Sequence, residues 1–393
     1  MYELMTGAVA LELSHQWPDA VGQHLADMGC EVIMVEPPGG GRQTRDLWVR
    51  DGLGMCHSHW NRSKKSLAVD VRTEGGRALL LELVARVDLL LCGLRPGAME
   101  RWGLDRAALS AVNPSLVHVA LSGWGNSGPY RRLATNGAGF DGFAGLQPPD
   151  VRADGLAQLP EMPGTRGEVH YGAVVGSLYA AMCAAAAWGQ RQRTGKGAWI
   201  DVAEADAAVA MRFDHLFWKL NFDLDDGRPQ PWPASARTRY QYYRTRDDRT
   251  VFLSPAQPVF WRRFCERLGR PDLLDSRVDT EAERIAIAAI ARTKTRAEWV
   301  QWCLDNDVPC APVYDQTGEL LEDPQFQARD LVAEVQDPGH GPVKLFSSPA
   351  KVEGQQFTPR PAPALGEHTD ALLARFGVDA DRIAGLRRAG VVA

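Results

Sequence analysis

Between Val9 and Leu121 the chain alternates short apolar runs with stretches of helical pattern, and this alternation narrows the fold more than any other feature. Val9 to Leu13 reads as a strand, Ala20 to Met28 as a helix stopped by Gly29, and Glu31 to Val35 as a second strand. A glycine after the last periodic residue takes up the left-handed conformation with which helices commonly end. A helix over Gly75 to Ala85 leads to the apolar run Val87-Asp88-Leu89-Leu90-Leu91, and another, Arg106 to Val112, leads to Leu116 to Leu121. Strands separated by helices predict an α/β fold, with a mainly parallel sheet covered on both faces. Ligands of such folds sit in the loops beyond the strand C-termini. Here those loops carry Glu36-Pro37-Pro38-Gly39-Gly40-Gly41, Gly93-Leu94-Arg95-Pro96-Gly97 and Ser122-Gly123-Trp124-Gly125.

A chain of 393 residues is too long for one core, so two domains are expected. The Asp-, Gly- and Pro-rich segment from Asp223 to Ala236 reads as a linker. After it, Arg239 to Leu253 predicts a hairpin turning at Asp247-Asp248, followed by helices to about Asn306, which makes a smaller second domain. Extended pieces then alternate with turns up to a last helix near Thr369 to Phe376. No fixed-period repeat is present.

A net charge of -5 argues against nucleic acid as the main partner. The seven cysteines are scattered, without a CxxC pair, as in a reduced intracellular protein. The first residues carry no basic and apolar leader pattern, and the longest apolar stretch, Ala180 to Trp188, is short for a membrane span. A cytoplasmic protein, with no membrane or nucleic-acid partner, is the expectation.

Taken singly, the motifs are weak. Gly39 to Gly41 follows a strand but has neither GxGxxG spacing nor a Walker lysine, so a plain loop is the simpler reading. The basic cluster Asn61-Arg62-Ser63-Lys64-Lys65-Ser66 precedes an extended stretch, Leu67 to Val71, and serves phosphates or solvent equally well. His57 and His59 read as structural or exposed, no histidine has metal-ligand spacing, and no GxSxG elbow or Ser-His-Asp set exists.

Read together and in order, however, the segments resemble family III CoA-transferases, a group that includes α-methylacyl-CoA racemases. The resemblance is carried by Leu25-Ala26-Asp27-Met28-Gly29, Val35-Glu36-Pro37-Pro38-Gly39, Asn61-Arg62, Arg95-Pro96-Gly97 and Arg101-Trp102-Gly103-Leu104. It continues through Leu121-Ser122-Gly123-Trp124-Gly125, Gly128-Pro129-Tyr130, Thr194-Gly195-Lys196-Gly197, Asp323-Pro324-Gln325 and Leu365-Gly366-Glu367-His368-Thr369. It implies a Rossmann-like large domain built from residues 1–222 and a returning segment, 326–393, with a small α+β domain over 223–325. It implies two subunits interlocked like chain links. It also implies coenzyme A or acyl-CoA as substrate, no covalently bound cofactor, and CoA contacts at His15, Gln16, Val69, Arg72 and Arg101. A guanidinium at the last two suits phosphate oxygens.

The family mechanism, as the resemblance implies it, uses an aspartate that attacks the donor thioester and passes through an anhydride and an enzyme-bound thioester. That aspartate starts a helix twenty-one residues before the Thr-Gly-Lys-Gly turn, and counting back from Thr194 gives Ala173. A methyl group forms no anhydride. The racemase pair fares no better, since its positions hold Phe140 (before Asp141), Ala173 and Gln257. Two further departures are Trp17-Pro18-Asp19 for the usual Ala-Gly-Pro turn and Cys92-Gly93-Leu94 before the Arg-Pro-Gly element. The leading expectation is therefore a non-catalytic subunit whose partner is a related, aspartate-bearing chain. It resembles the aspartate-lacking subunit of succinyl-CoA:(R)-benzylsuccinate CoA-transferase of anaerobic toluene breakdown. The rivals are a homodimer with another nucleophile, Glu168 being the one nearby carboxylate, a chain whose aspartate was replaced by mutation, and a CoA-free scaffold.

Overall fold

The structure is a computed structural model and describes residues 1–15, 17–147, 149–151, 153–158, 170–221, 238–274, 280–314 and 317–393. It divides into two compact units, one of Met1–Pro160, Glu168–Arg212 and Arg329–Ala393, the other of Glu161–Gly167 and Phe213–Ala328.

The first unit is built on a sheet of six strands: β1 Val9–Ser14, β2 Glu31–Glu36, β3 Lys65–Ala68, β4 Leu89–Gly93, β5 Val117–Ser122 and β6 Ala198–Ala203. Their order is β6-β5-β4-β1-β2-β3, and every pairing is parallel. The first, second, fourth and fifth strands lie within two residues of the expected runs. The sixth was not expected. It is an edge strand whose Trp199 and Asp201 face outward, so its sequence lacks the continuous apolar run of its neighbours. From β1 the chain winds outward through β2 and β3, then crosses back to place β4 on the other side of β1. Such a reversal opens a crevice beyond the strand ends.

Helices α1 Asp19–Asp27, α2 Glu74–Val84, α3 Arg106–Val112, α4 Gly137–Phe143, α5 Tyr171–Thr194 and α6 Glu204–Ala210 accompany the sheet. Thr73 and Asp105 cap α2 and α3 by accepting the Gly76 and Ala108 N–H groups at 3.0 and 2.9 Å. Because alternate strand residues point to opposite faces, two cores form. On one face Leu11, Ile33 and Leu67 meet Leu79 and Leu83 of α2 and, from the far end of the chain, Leu372, Leu373 and Phe376. On the other face Ala10, Leu89, Val117 and Val119 meet Val21 and Leu25 of α1 and Ala180, Ala181 and Ala184 of α5. The 24-residue α5 is in fact long and apolar enough to cross a membrane, contrary to the sequence expectation of a short stretch, but its glycine and alanine face is buried against this sheet.

The second unit contains a three-stranded antiparallel sheet, β7 Gln241–Arg244, β8 Thr250–Leu253 and β9 Cys310–Val313. The hairpin turns at Asp248, whose φ is 56°. Helices α7 Pro258–Arg267, α8 Glu281–Ala291 and α9 Arg296–Asn306 close a core of Trp261, Phe264, Ile287 and Trp299. The expected linker, Asp223 to Ala236, lies outside the described residues.

Beneath the strand ends of the first unit lies a buried set of charges. Arg42 and Lys64 are fully enclosed, and both bind Glu12 of β1, at 2.9 and 2.7 Å. Arg42 also reaches the Asp19 carboxylate at 2.7 Å, while the Lys64 ammonium donates to the Asp19 carbonyl oxygen at 2.7 Å and to Asn61 at 3.0 Å. Burial alone would raise the Asp19 pKa, but Arg42, then Lys64, with hydrogen bonds from Ser14 and Asn61, bring it down to about 2. Arg62 is likewise buried, on Asp27 at 2.5 Å. The basic cluster is thus neither a phosphate site nor a solvated patch. Most of its charge is spent on carboxylates lying far upstream in sequence.

Removing Arg42 leaves two carboxylates facing one ammonium in a dry interior. Arg42→Met is expected to lower the unfolding free energy by about 3–5 kcal/mol, measured by urea titration. A loss below about 1 kcal/mol would show that the network is not stabilising as described.

Candidate active site

The loops after β1, β4, β5 and β6 surround a crevice with two adjoining lobes of about 1100 and 660 Å³, which share Gly93, Leu94, Arg95, Gly123, Phe140 and Glu204. Close packing shapes its floor. A β-carbon on Gly93 would stand 2.3 Å from the Pro18 side chain, and one on Gly123 would stand 2.3 Å from the Phe140 ring. Only glycine lets these strand ends meet their neighbours.

Sheet register delivers Glu204, which among the described residues is the one carboxyl lining both lobes; Asp46 lines only the larger and Glu100 only the smaller. Ala203 pairs with Ser122, so Glu204 emerges beside Gly123, and the Ala205 N–H donates to the Gly123 oxygen at 3.0 Å. Glu204 packs on the first turns of α5. Its carbonyl oxygen lies 2.7 Å from where a β-carbon on Gly172 would stand, and its Cα lies 3.4 Å from the same point on Gly176. Ala173 sits between these glycines and is buried, 1% exposed. The N-terminus of α5 is held by Asp141, which accepts the Tyr171 and Gly172 N–H groups at 2.9 and 2.8 Å and the Gln147 amide at 3.3 Å. Burial, and then the negative charge of Asp141, push the Glu204 pKa up to about 7. Among the described residues the Glu204 carboxyl has no hydrogen bond or ion pair. Ser122 Oγ, Trp124 Nε1 and Arg131 Nε, in the wall of the smaller lobe, are buried without partners among the same residues.

The expected CoA contacts fall in two places. His15, Val69 and Arg72 line a small cavity of about 170 Å³, whereas Arg101 lines the smaller lobe of the crevice together with Arg95, Arg131 and Arg132. Leu94 borders both. Arg72 is exposed and engages Asp70 through two contacts of 2.8 Å, an open ion pair that a phosphate can displace. Gln16 and Glu168 lie outside the described residues. Trp17 folds against Trp60 and His170, with ring centroids 4.5 and 5.1 Å away, and becomes a wall of the larger lobe. Gly39 to Gly41 line the same lobe and lead into Arg42, so this loop has both a lining and an anchoring role. Phe140 is buried between Gly123 and Trp124, and Gln257 belongs to the other unit, immediately before α7. His57 is buried, within 3.3 Å of Thr44 and 3.2 Å of Asn61, and structural. Glu204 is the residue that sequence reasoning missed. Its signal was a carboxylate directly after a strand, and it was hidden because that strand went unassigned.

A family model described as CoA-transferase family III matches residues 7–369. A succinyl-CoA--D-citramalate CoA-transferase of Chloroflexus aurantiacus is 30% identical, over 94% of this chain and 93% of that protein. A succinyl-CoA--L-malate CoA-transferase alpha subunit of Chloroflexus aurantiacus is 28% identical, over 94% and 87%. The crystal structure of Rv3272 from M. tuberculosis in its orthorhombic form matches with a TM-score of 0.77 at 27% identity, covering 94% of this chain and 99% of that one.

A carboxyl whose pKa is raised on folding favours the folded state only while protonated. Relative to the unfolded chain, Glu204 withdraws stability as pH rises from its ordinary value of 4.5 through about 7. Glu204→Gln is therefore expected to stabilise the chain at pH 8 by about 1–3 kcal/mol and to change it little at pH 4. Urea unfolding at the two pH values tests this, and an equal effect at both would refute the assigned ionisation.

Proposed function

This chain belongs to CoA-transferase family III, and we propose that it moves CoA between an acyl-CoA donor and a carboxylic acid acceptor bound in the crevice of its first unit. The observation that carries this reading is the joining of a basic rim to a carboxyl interior. Arg95, Arg101, Arg131 and Arg132 gather at one lobe, where they suit the phosphates of CoA and an acceptor carboxylate. His15, Val69 and Arg72 form a neighbouring recess for another part of the same cofactor-substrate. Acyl-CoA enters as a substrate, with no covalently held cofactor. Succinyl-CoA is the first donor to try, because two of the relatives above are named for it.

A second reading is favoured by Ala173, whose methyl group stands at the start of α5 where the family aspartate was expected. In it the chain is a subunit of a heteromer, inactive alone, and an aspartate-bearing relative supplies the nucleophile, as in the benzylsuccinate-type enzyme. One similar protein is itself named as an alpha subunit. An interlocked assembly agrees with a stripe along α5, where Val174, Leu178 and Met182 recur every four residues and are 41%, 49% and 57% exposed.

Incubating the purified chain with succinyl-CoA and a panel of mono- and dicarboxylates, with chromatographic detection of new CoA esters, tests the transfer. Exchange is expected, and Arg101→Ala is expected to raise KM for the acyl-CoA about 10-fold with little change in kcat. Absence of exchange for every acceptor would leave the heteromer reading, in which activity returns on adding the aspartate-bearing partner.

Assembly is checked separately by light scattering. A dimer or larger species is expected at micromolar concentration, and Leu178→Glu is expected to weaken it. A folded monomer of 43.1 kDa would remove the interlocked arrangement.

A further inference from the structure

We propose that Glu204 is the carboxylate that attacks the acyl-CoA thioester in this chain, in place of the aspartate that Ala173 replaces. The inference rests on the transfer reading above and names the group that performs it.

The first argument is a contrast among buried carboxylates. Glu12, Asp27 and Glu36 are taken up by Lys64 and Arg42, by Arg62, and by Arg45 respectively. Asp19 is held by Arg42, Asp141 by the start of α5, and Glu283 by Arg239. Glu204 alone among the described buried carboxylates has no such partner, although it is 6% exposed. A protein ordinarily satisfies or removes a buried acid, because leaving it unpaired is destabilising. An unpaired one that borders a ligand crevice is retained for what it does there.

Position is the second argument. Glu204 lies against the same helix start that holds Ala173, with its Cγ 3.5 Å from where a β-carbon on Gly176 would stand. The glycines on that helix leave room for it. A carboxylate offered from the end of β6 therefore lines the crevice while packed against the turn of α5 that carries Ala173. The third argument concerns the electrophile. Ser122 Oγ and Trp124 Nε1 carry hydrogens without acceptors among the described residues, in the lobe that Glu204 lines. They are suited to a thioester oxygen as it gains negative charge. The elevated pKa of Glu204 agrees with these roles, since a more basic carboxylate is the stronger nucleophile once ionised.

The chemistry balances without any further reagent. A Glu204 oxygen adds to the donor thioester carbon, the C–S bond breaks, and CoA leaves as thiolate with an acyl-glutamyl anhydride behind it. The thiolate attacks the glutamyl carbonyl carbon and expels the donor acid as its carboxylate, giving a glutamyl-CoA thioester. The acceptor carboxylate attacks that carbon, releasing thiolate and forming the acceptor anhydride. Attack of thiolate on the acceptor acyl carbon then yields the new acyl-CoA and restores the Glu204 carboxylate.

The test traps the intermediate on the unaltered chain, so it does not depend on a variant that folds. The full chain is incubated with succinyl-CoA, quenched with hydroxylamine and digested, and the modified peptide is sequenced by mass spectrometry. A hydroxamate at Glu204 is expected. Glu204→Gln is expected to lose the modification and at least about 1,000-fold in kcat while keeping its affinity for CoA. For the wild-type chain kcat is expected to rise with pH through about 7. Exchange of CoA with the label on another residue, Glu168 included, or with activity retained in Glu204→Gln, overturns this proposal and leaves the transfer reading intact. No exchange and no labelled peptide from the chain alone overturns both for the isolated chain. Label on the aspartate of an added partner subunit assigns the nucleophile elsewhere and overturns the Glu204 proposal alone.

Discussion

The enclosed contact of Arg42 with Glu12 and Asp19 is the constraint on which the working end of the first unit depends. Glu12 belongs to β1, Asp19 opens α1, Arg42 ends the glycine loop after β2, and Lys64 precedes β3. Four separate stretches of chain are thereby drawn to one point beneath the crevice. Two positive and two negative side chains cancel there, which is the condition under which ions survive in a dry interior. Ser14, which ends β1, and Asp19, which opens α1, are both tied to the same guanidinium.

From this anchored end the chemistry follows the sheet. Parallel strands bring their C-termini to one edge, so residues distant in sequence, such as Trp17, Gly93, Gly123 and Glu204, border one space. Registry then fixes which residue arrives. Because Ala203 stands opposite Ser122, the next position on β6 must open beside Gly123, and in this chain that position is a glutamate. Helix α5 meets it with glycines, and burial, helped by the negative charge of Asp141 at the helix N-terminus, keeps the Glu204 proton on to an unusual pH.

How much of this could be read beforehand varied with the kind of interaction. β1, β2, β4 and β5 were legible because strands covered on both faces must be apolar, and Gly29 marked its helix end by following the last periodic residue, where the structure gives it a φ of 98°. The order of the motifs gave the family, and a count from Thr194 gives Ala173 as the position expected for its nucleophile. β6 was illegible because an edge strand alternates polar and apolar residues, and with it went Glu204. The fate of Lys64 was also hidden. Whether a lysine is buried depends on its partner, and Glu12 is fifty-two residues away, so no local pattern announces the pairing. Likewise the last helix of the chain, Ala380–Arg388, follows the expected one, and its few apolar residues gave it away only once Ile383 was seen packed in the core.

The contact between Gly93 and Pro18 has a bearing on how such a site can diversify. It joins the loops after β1 and β4, both of which line the crevice, and neither partner has a flexible side chain with which to give way. For the transfer proposed above, discrimination between short and long acyl groups then falls to the other lining residues, among which Trp17, Trp60 and Phe140 are the bulky elements. On that reading, a lineage carrying this floor changes its acyl preference by exchanging one aromatic ring for a smaller residue, without retuning the contact of Gly93 with Pro18. Selectivity and framework are in this sense separable, and the first can drift while the second stands still.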